Sequence, residues 1–219
     1  MHFEVPKAKT FKEFGGEYVM IVVSIITALA LEHAAQTWHR SHVAHEAAER
    51  IEAEVKANIA ELDMVIAHND AQAAQLNKQG KFLLEGIKAK VDDATLMKQW
   101  LEEQKGSLGL SIKGPTFKHE AWDVAVANQA VSWMNASTQE RYAGAYASMR
   151  DVQALSNGSG IRFLDGAALR NVTSDLLMGE AKARDIYRAL NQMRAATESM
   201  NGNLLILRRD LRQAAATAH

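Results

Sequence analysis

Four histidines crowd one stretch of the chain, His33, His39, His42 and His45, and Glu46 and Glu49 follow them. On a helix, His42, His45 and Glu49 are spaced by three and four residues, so they share a face and could offer three ligands to zinc or copper. Two other readings compete: a polar surface beside an apolar segment, and a histidine cluster that responds to pH. "HEAAE" at His45–Glu49 lacks the second histidine of a zincin helix. No Glu-x-x-His occurs, which speaks against a ferritin-like di-iron centre. His119 with Glu120 and Asp123 has the groups for acid–base chemistry, though a solvated helix edge is the commoner use of such a trio. "GSG" at Gly158–Gly160 lacks the lysine and spacing of a phosphate loop, and Ser107, Ser111 and Ser159 have no nucleophile-elbow context. Trp100, Trp122 and Trp133 could line a ligand pocket or anchor a core. The chain has no cysteine, which excludes disulfides, thiolate catalysis and zinc–thiolate sites. A formal net charge of -1 gives no basic excess for nucleic acid. These residues point to a non-enzyme without a cofactor.

The elements that would position them are helical. Only 2 of 219 residues are proline and alanine is abundant, which favours helix throughout. The longest apolar run lies in "FGGEYVMIVVSIITALALEHAAQTWHR", Phe14–Arg40, with 14 uncharged residues from Tyr18 to Leu31. That core is roughly 21 Å of helix, but Phe14 to Trp38 is about 36 Å, enough for a bilayer core of ~30 Å and part of its headgroups. Phe11, Phe14 and Tyr18 at one end and Trp38 at the other match an aromatic belt, and Glu17 and Glu32 fall near opposite boundaries. A cleaved signal peptide and a buried core helix are the alternatives. Against cleavage, the helical pattern continues past "ALA" at Ala28–Ala30, with no glycine or proline from Glu17 to Gln79. Lys7, Lys9 and Lys12 precede the run, so the positive-inside bias puts the N-terminus in the cytoplasm and the helical domain in the periplasm of a Gram-negative cell. Glu17, Ser24, Thr27 and Ala28 form a polar, small-residue face on which helices could pack.

The expected organisation is a short tail over 1-13, a transmembrane anchor helix over 14-38 and an extramembrane helical bundle over 39-219. Beyond the anchor the helix continues with a heptad seam at Val55, Ile59, Leu62, Ile66, Asn69, Ala73 and Leu76, and Asn69 is its register-fixing polar residue. A second seam near the C-terminus runs Ile186, Leu190, Met193, Thr197, Met200, Leu204, Leu207 and Leu211. The first helix is acidic, 8 Asp/Glu against 4 Lys/Arg over Glu32–Gln79; the second is basic, 7 Lys/Arg against 4 Asp/Glu over Glu180–Arg212. Antiparallel packing would bring Arg208 and Arg209 towards Glu54, unless each helix pairs with its own copy. Gly80 and Gly86 suggest a break after the long rod. Ala94–Glu103 reads as a short helix, and "KGSLGLSIKGP" as a loop in which Leu108, Leu110 and Ile112 could extend. "TFKHEAWDVAVANQAVSWM" reads as a central bundle helix, and Ser137 with Glu140 as a capping box. "SNGSG" reads as a loop, Asp165 as a helix cap and Gly179 as a kink or break.

Two stretches resemble a group of uncharacterised bacterial single-span membrane proteins. "GEYVMIVVSIITALAL" is similar to a short span opened by Gly-Glu and closed by Ala-Leu. "TFKHEAWDVAVANQAVSWM…RYAGAYASM" is similar to a downstream aromatic and alanine-rich pair of helices. The resemblance covers about a third of the chain and implies an anchored helical domain, with no activity to carry over.

The expected fold is therefore all-α: an N-terminal transmembrane helix continuing into a long helix, packed in an antiparallel bundle or coiled coil. The expected role is a scaffold or accessory subunit in contact with membrane lipid, bound to itself as a homo-oligomer or to a larger membrane protein complex. A ligand- or metal-sensing module is the second expectation. An oligomeric ion conductor with Glu17, Ser24 and Thr27 on its pore is the third.

Overall fold

The computed structural model describes residues 11–104, 111–159 and 166–216, and all the regular structure in them is helical. The first helix, α1 (Phe11–Lys88), is a rod of 78 residues, about 117 Å at 1.5 Å per residue. It passes through Gly80 and Gly86, where the sequence suggests a break. Gly86 instead makes room for a neighbour, since a Cβ there would strike Leu96, whereas one at Gly80 would meet the Tyr187 ring in ordinary contact at 3.9 Å. The chain turns only at Lys90, in the left-handed region at φ 57°.

α2 (Asp93–Gln104) folds back at the far end of α1, started by Asp92, whose carboxylate accepts the Thr95 N–H at 3.1 Å. From Ser111 to His119 the chain is not helical and descends along α1 as a strap. α3 (Glu120–Ala127) follows, then a 3-10 turn at Ala130–Trp133, then α4 (Ala136–Ser159), which climbs back. α5 (Gly166–Met178) packs on the far end, and α6 (Ala183–Ala216) descends beside α1. Gly179, at φ 74°, makes the turn between α5 and α6.

α1 and α6 form the spine and run antiparallel. Asn201 of α6 donates to Asp70 and to the Ile66 carbonyl, whereas Arg208 and Arg212, further along, reach back to Asp63 at 2.8 and 2.9 Å. The charge complementarity of the two helices is realised here, but not at the expected address. Arg208 pairs with Asp63 rather than Glu54, and Arg209 pairs with its neighbour Asp210. Glu54 faces the strap side of α1 and is held by other partners.

On the seam, Val55, Leu62, Ile66, Leu190, Met193, Leu204 and Leu207 are buried, while Ile59 and Met200 are only half-buried. The adjacent Asn58 and Asn201 are buried instead, because each spends its amide on the backbone of another segment, Asn58 on Lys118 of the strap and Asn201 on Ile66 of α1. Two apolar cores result. The near one gathers Ile51, Val55 and Leu62 with Tyr142, Tyr146 and Leu207; the far one gathers Leu83, Leu96, Trp100, Ile186 and Leu190.

The expected central helix over Thr116–Met134 is not formed. Asn128 accepts the Ala130 N–H at 3.0 Å and Gln129 turns left-handed at φ 65°, which ends α3 after 8 residues. α3 buries only Ala125 and leaves Val124 and Val126 half-exposed, so it lies at the surface. The start of α4 is also shifted. Asn135, not Ser137, is the cap, accepting the Thr138 N–H and the Ser137 hydroxyl, both at 2.8 Å. "SNGSG" continues α4 as far as Ser159, and Leu108, Leu110 and Asp165 lie outside the described residues.

Candidate functional site

Two surfaces stand out, and the first is the near third of α1. From Phe14 to His42 every side chain is exposed except Val22, which is half-exposed. Ile21, Ile25, Ile26, Leu29 and Leu31 are each more than half exposed, and Trp38 is 71% exposed. Among the described residues this is one helix long and apolar enough to cross a membrane, and none of its most apolar 18-residue stretch is buried in the bundle. It is therefore not a core helix of this chain's own bundle. Glu17, Ser24, Thr27 and Ala28 lie along it, but the hydroxyls of Ser24 and Thr27 each donate to the carbonyl four residues back at 2.8 Å. Such back-bonding satisfies them inside an apolar medium without a partner helix.

Just beyond, the histidines do not assemble a metal site. The His42 ring stacks on Trp38 with centroids 5.8 Å apart and 6° between planes, while His45 pairs with Glu49 at 3.4 Å. His42 and Glu49 are two turns apart, about 10 Å along the axis. Among the described residues no three His, Asp or Glu side chains converge as a metal would require. His42, His45 and Glu49 are thus not gathered at one point in this structure.

The second surface is a groove of about 600 Å³ between the strap with the first turn of α3 on one side and α4 on the other. Its making starts from three polar residues on one face of α1. Asn58 donates to the Lys118 carbonyl at 2.8 Å and accepts the Lys118 N–H at 2.9 Å; Asn69 does the same with Lys113, both at 2.9 Å. The spacing is commensurate. Eleven helical residues rise about 16.5 Å, and five extended residues cover about the same length. Glu54, one turn nearer the exposed apolar end of α1, accepts the Ala121 N–H at 2.9 Å and the Tyr146 hydroxyl at 2.5 Å. Burial, reinforced by the Glu54 carboxylate, pushes the Tyr146 phenol well above its ordinary range.

Within the groove the Trp122 and Tyr146 rings stack at 5.2 Å. At its rim His119 Nδ1 lies 2.6 Å from Asp123, and that hydrogen bond, with the Asp123 charge, raises the His119 pKa. The Glu120 carboxylate accepts its own and the His119 backbone N–H, which lowers its pKa. The expected trio is thus one ion pair plus a helix-start carboxylate. Trp100 lies in the far core and Trp133 packs on the near core, so Trp122 alone of the three candidate tryptophans lines this groove. Asn58 is absent from the sequence reading, which took Glu54 only as a partner for Arg208 and Arg209. The trace is a few polar residues, Glu54, Asn58 and Asn69, set among the apolar positions of α1.

The chain matches no protein family, no curated protein and no solved structure.

Proposed function

We propose that this protein is a single-pass membrane-anchored helical bundle, non-enzymatic, that acts as a scaffold or accessory subunit. The anchor occupies 14–38 and the bundle stands outside the membrane, with the N-terminus cytoplasmic and the bundle periplasmic. The observation that carries the reading is the apolar first third of α1, which extends past the bundle with its side chains exposed from Phe14 to His42. Exposing that much contiguous apolar surface to water costs on the order of 25 cal/mol per Å², so it wants lipid or protein around it. α1 is also one uninterrupted helix, so whatever grips the anchor is mechanically joined to the bundle. Partners in this reading are membrane lipid, further copies of the chain, or a larger membrane complex. With the Ser24 and Thr27 hydroxyls already bonded, contact along the Glu17–Ala28 face would rest on close packing of small residues.

The test is size and composition together. Full-length protein in mild detergent is weighed by light scattering and native mass spectrometry. A defined homo-oligomer or a complex with another membrane protein is expected. A clean monomer with nothing bound contradicts the scaffold reading.

A further inference from the structure

We propose that the groove between the strap and α4 is a binding site for a small organic carboxylate with an apolar, aryl-sized body. Its walls are fixed before any ligand arrives. The strap wall hangs from Asn58 through both bonds to Lys118, and the α4 wall hangs from the same helix through Tyr146 to Glu54 and Met149 to Asn58 at 3.3 Å. Both walls are referred to one rigid rod, so the gap is held open by the fold. A preformed cleft avoids the ordering cost that weakens binding, and its volume is within the range of small-molecule sites.

The lining chooses the ligand class. Phe117, Trp122, Tyr146 and Met149 supply apolar and aromatic surface, and Tyr146 and Met149 are buried. The ionic groups are unequal: His119 and Asp123 offset each other as a pair, which leaves Lys118 and Arg150. Asp123 is engaged by His119, and both oxygens of Glu54 are taken behind Tyr146 by the phenol and the Ala121 N–H. An anionic head is therefore favoured at the rim, with the guanidinium of Arg150 shaped for a carboxylate. A bilayer lipid is the wrong occupant. Glu54, level with the groove, is sixteen residues beyond Trp38 on α1, about 24 Å along the rod.

The test uses full-length protein in lipid nanodiscs, with empty nanodiscs as blank. Binding of 3-phenylpropionate, indole-3-acetate and octanoate is followed by ligand-detected NMR, each beside its neutral amide. At least one acid should bind saturably with Kd of about 0.1–1 mM and roughly tenfold more tightly than its amide. Lys118→Gln with Arg150→Gln, both exposed and so compatible with folding, should abolish the preference for acid over amide while amide binding persists. No saturable binding by any of the three acids overturns the proposal. So does an acid preference that survives in the double variant, or equal binding of acid and amide to the parent protein.

Discussion

Asn58 and Lys118, 60 residues apart, are joined by a reciprocal pair of hydrogen bonds in which one side-chain amide serves both the N–H and the C=O of one residue. The Asn69–Lys113 pair repeats the arrangement three turns along α1. Together they bind a non-helical strap to a helix, with Pro115 buried between them. Proline suits that place, since it offers no N–H needing a partner and favours an extended neighbour.

Replacing either clamp residue by leucine removes both bonds and strands two backbone groups. Asn58→Leu and Asn69→Leu should each cost about 1–3 kcal/mol. Asn77→Leu, at an exposed position on the same helix, should cost no more than ~0.5 kcal/mol. Urea unfolding of the full chain in detergent, followed by tryptophan fluorescence, gives the comparison. Equal effects at Asn58 and Asn77 would contradict the clamp.

The Tyr146–Glu54 bond ties α4 to α1 in the near core. Tyr146→Phe keeps the ring stack but withdraws one partner from a buried carboxylate, an expected loss of about 1.5–3 kcal/mol. The pH dependence has a definite sign. Tyr146 holds its proton in the folded state beyond its ordinary value of 10.0, so its contribution is complete below that value and is lost as pH rises above it. Alkaline unfolding should therefore set in at higher pH relative to neutral stability in Tyr146→Phe than in the parent. Identical normalised pH profiles would contradict the argument.

Asp63 receives Arg208 and Arg212 of α6. Partial desolvation pushes its pKa up, but the hydrogen bonds and charges of the two arginines outweigh this and hold it below the ordinary 3.8. The contribution is then present above 3.8 and lost as pH falls through it. The site is open to solvent, so Asp63→Asn should cost only about 0.5–1 kcal/mol at pH 7. Its stability curve should merge with the parent's in acid. A constant offset down to the lowest pH would locate the effect elsewhere.

Two glycine substitutions should move stability in opposite directions. A Cβ at Gly86 would fall 2.8 Å from Leu96 Cδ2 and closer still to Cδ1, in the far core where Leu96 is 2% exposed. Gly86→Ala should therefore cost about 1–3 kcal/mol despite its better helix propensity. Nothing lies within 4 Å of a Cβ at Gly144, and Gly144→Ala should gain ~0.5–1 kcal/mol from propensity alone. Thermal melts of the two variants decide it, and stabilisation by Gly86→Ala would refute the close packing at Leu96.

The 4-3 seams were legible because periodicity reports buried apolar faces directly, and the run at Phe14–Trp38 because an uncharged apolar stretch shows by its length alone. The seam reading placed Ile59 and Met200 inside, where Asn58 and Asn201 lie. Apolar spacing cannot foresee a polar residue whose backbone partner is 60 or 135 positions away. Gly86 was legible as a glycine but not as the seat for Leu96, since its role depends on what packs opposite. The end of α3 turned on Asn128 and Gln129, local chemistry that the surrounding apolar residues outvoted. The histidine cluster had the spacing of a ligand set, but His42 is engaged by Trp38 and His45 by Glu49.

The anchor is the claim on which the rest depends, and alkaline carbonate extraction of membranes from cells making the full-length chain tests it most directly. The chain should stay in the membrane pellet, while a variant with Ile21, Ile25 and Leu29 all changed to lysine should appear in the supernatant as a folded helical protein. Full-length chain released by carbonate, or recovered in the soluble fraction at the outset, would contradict the account.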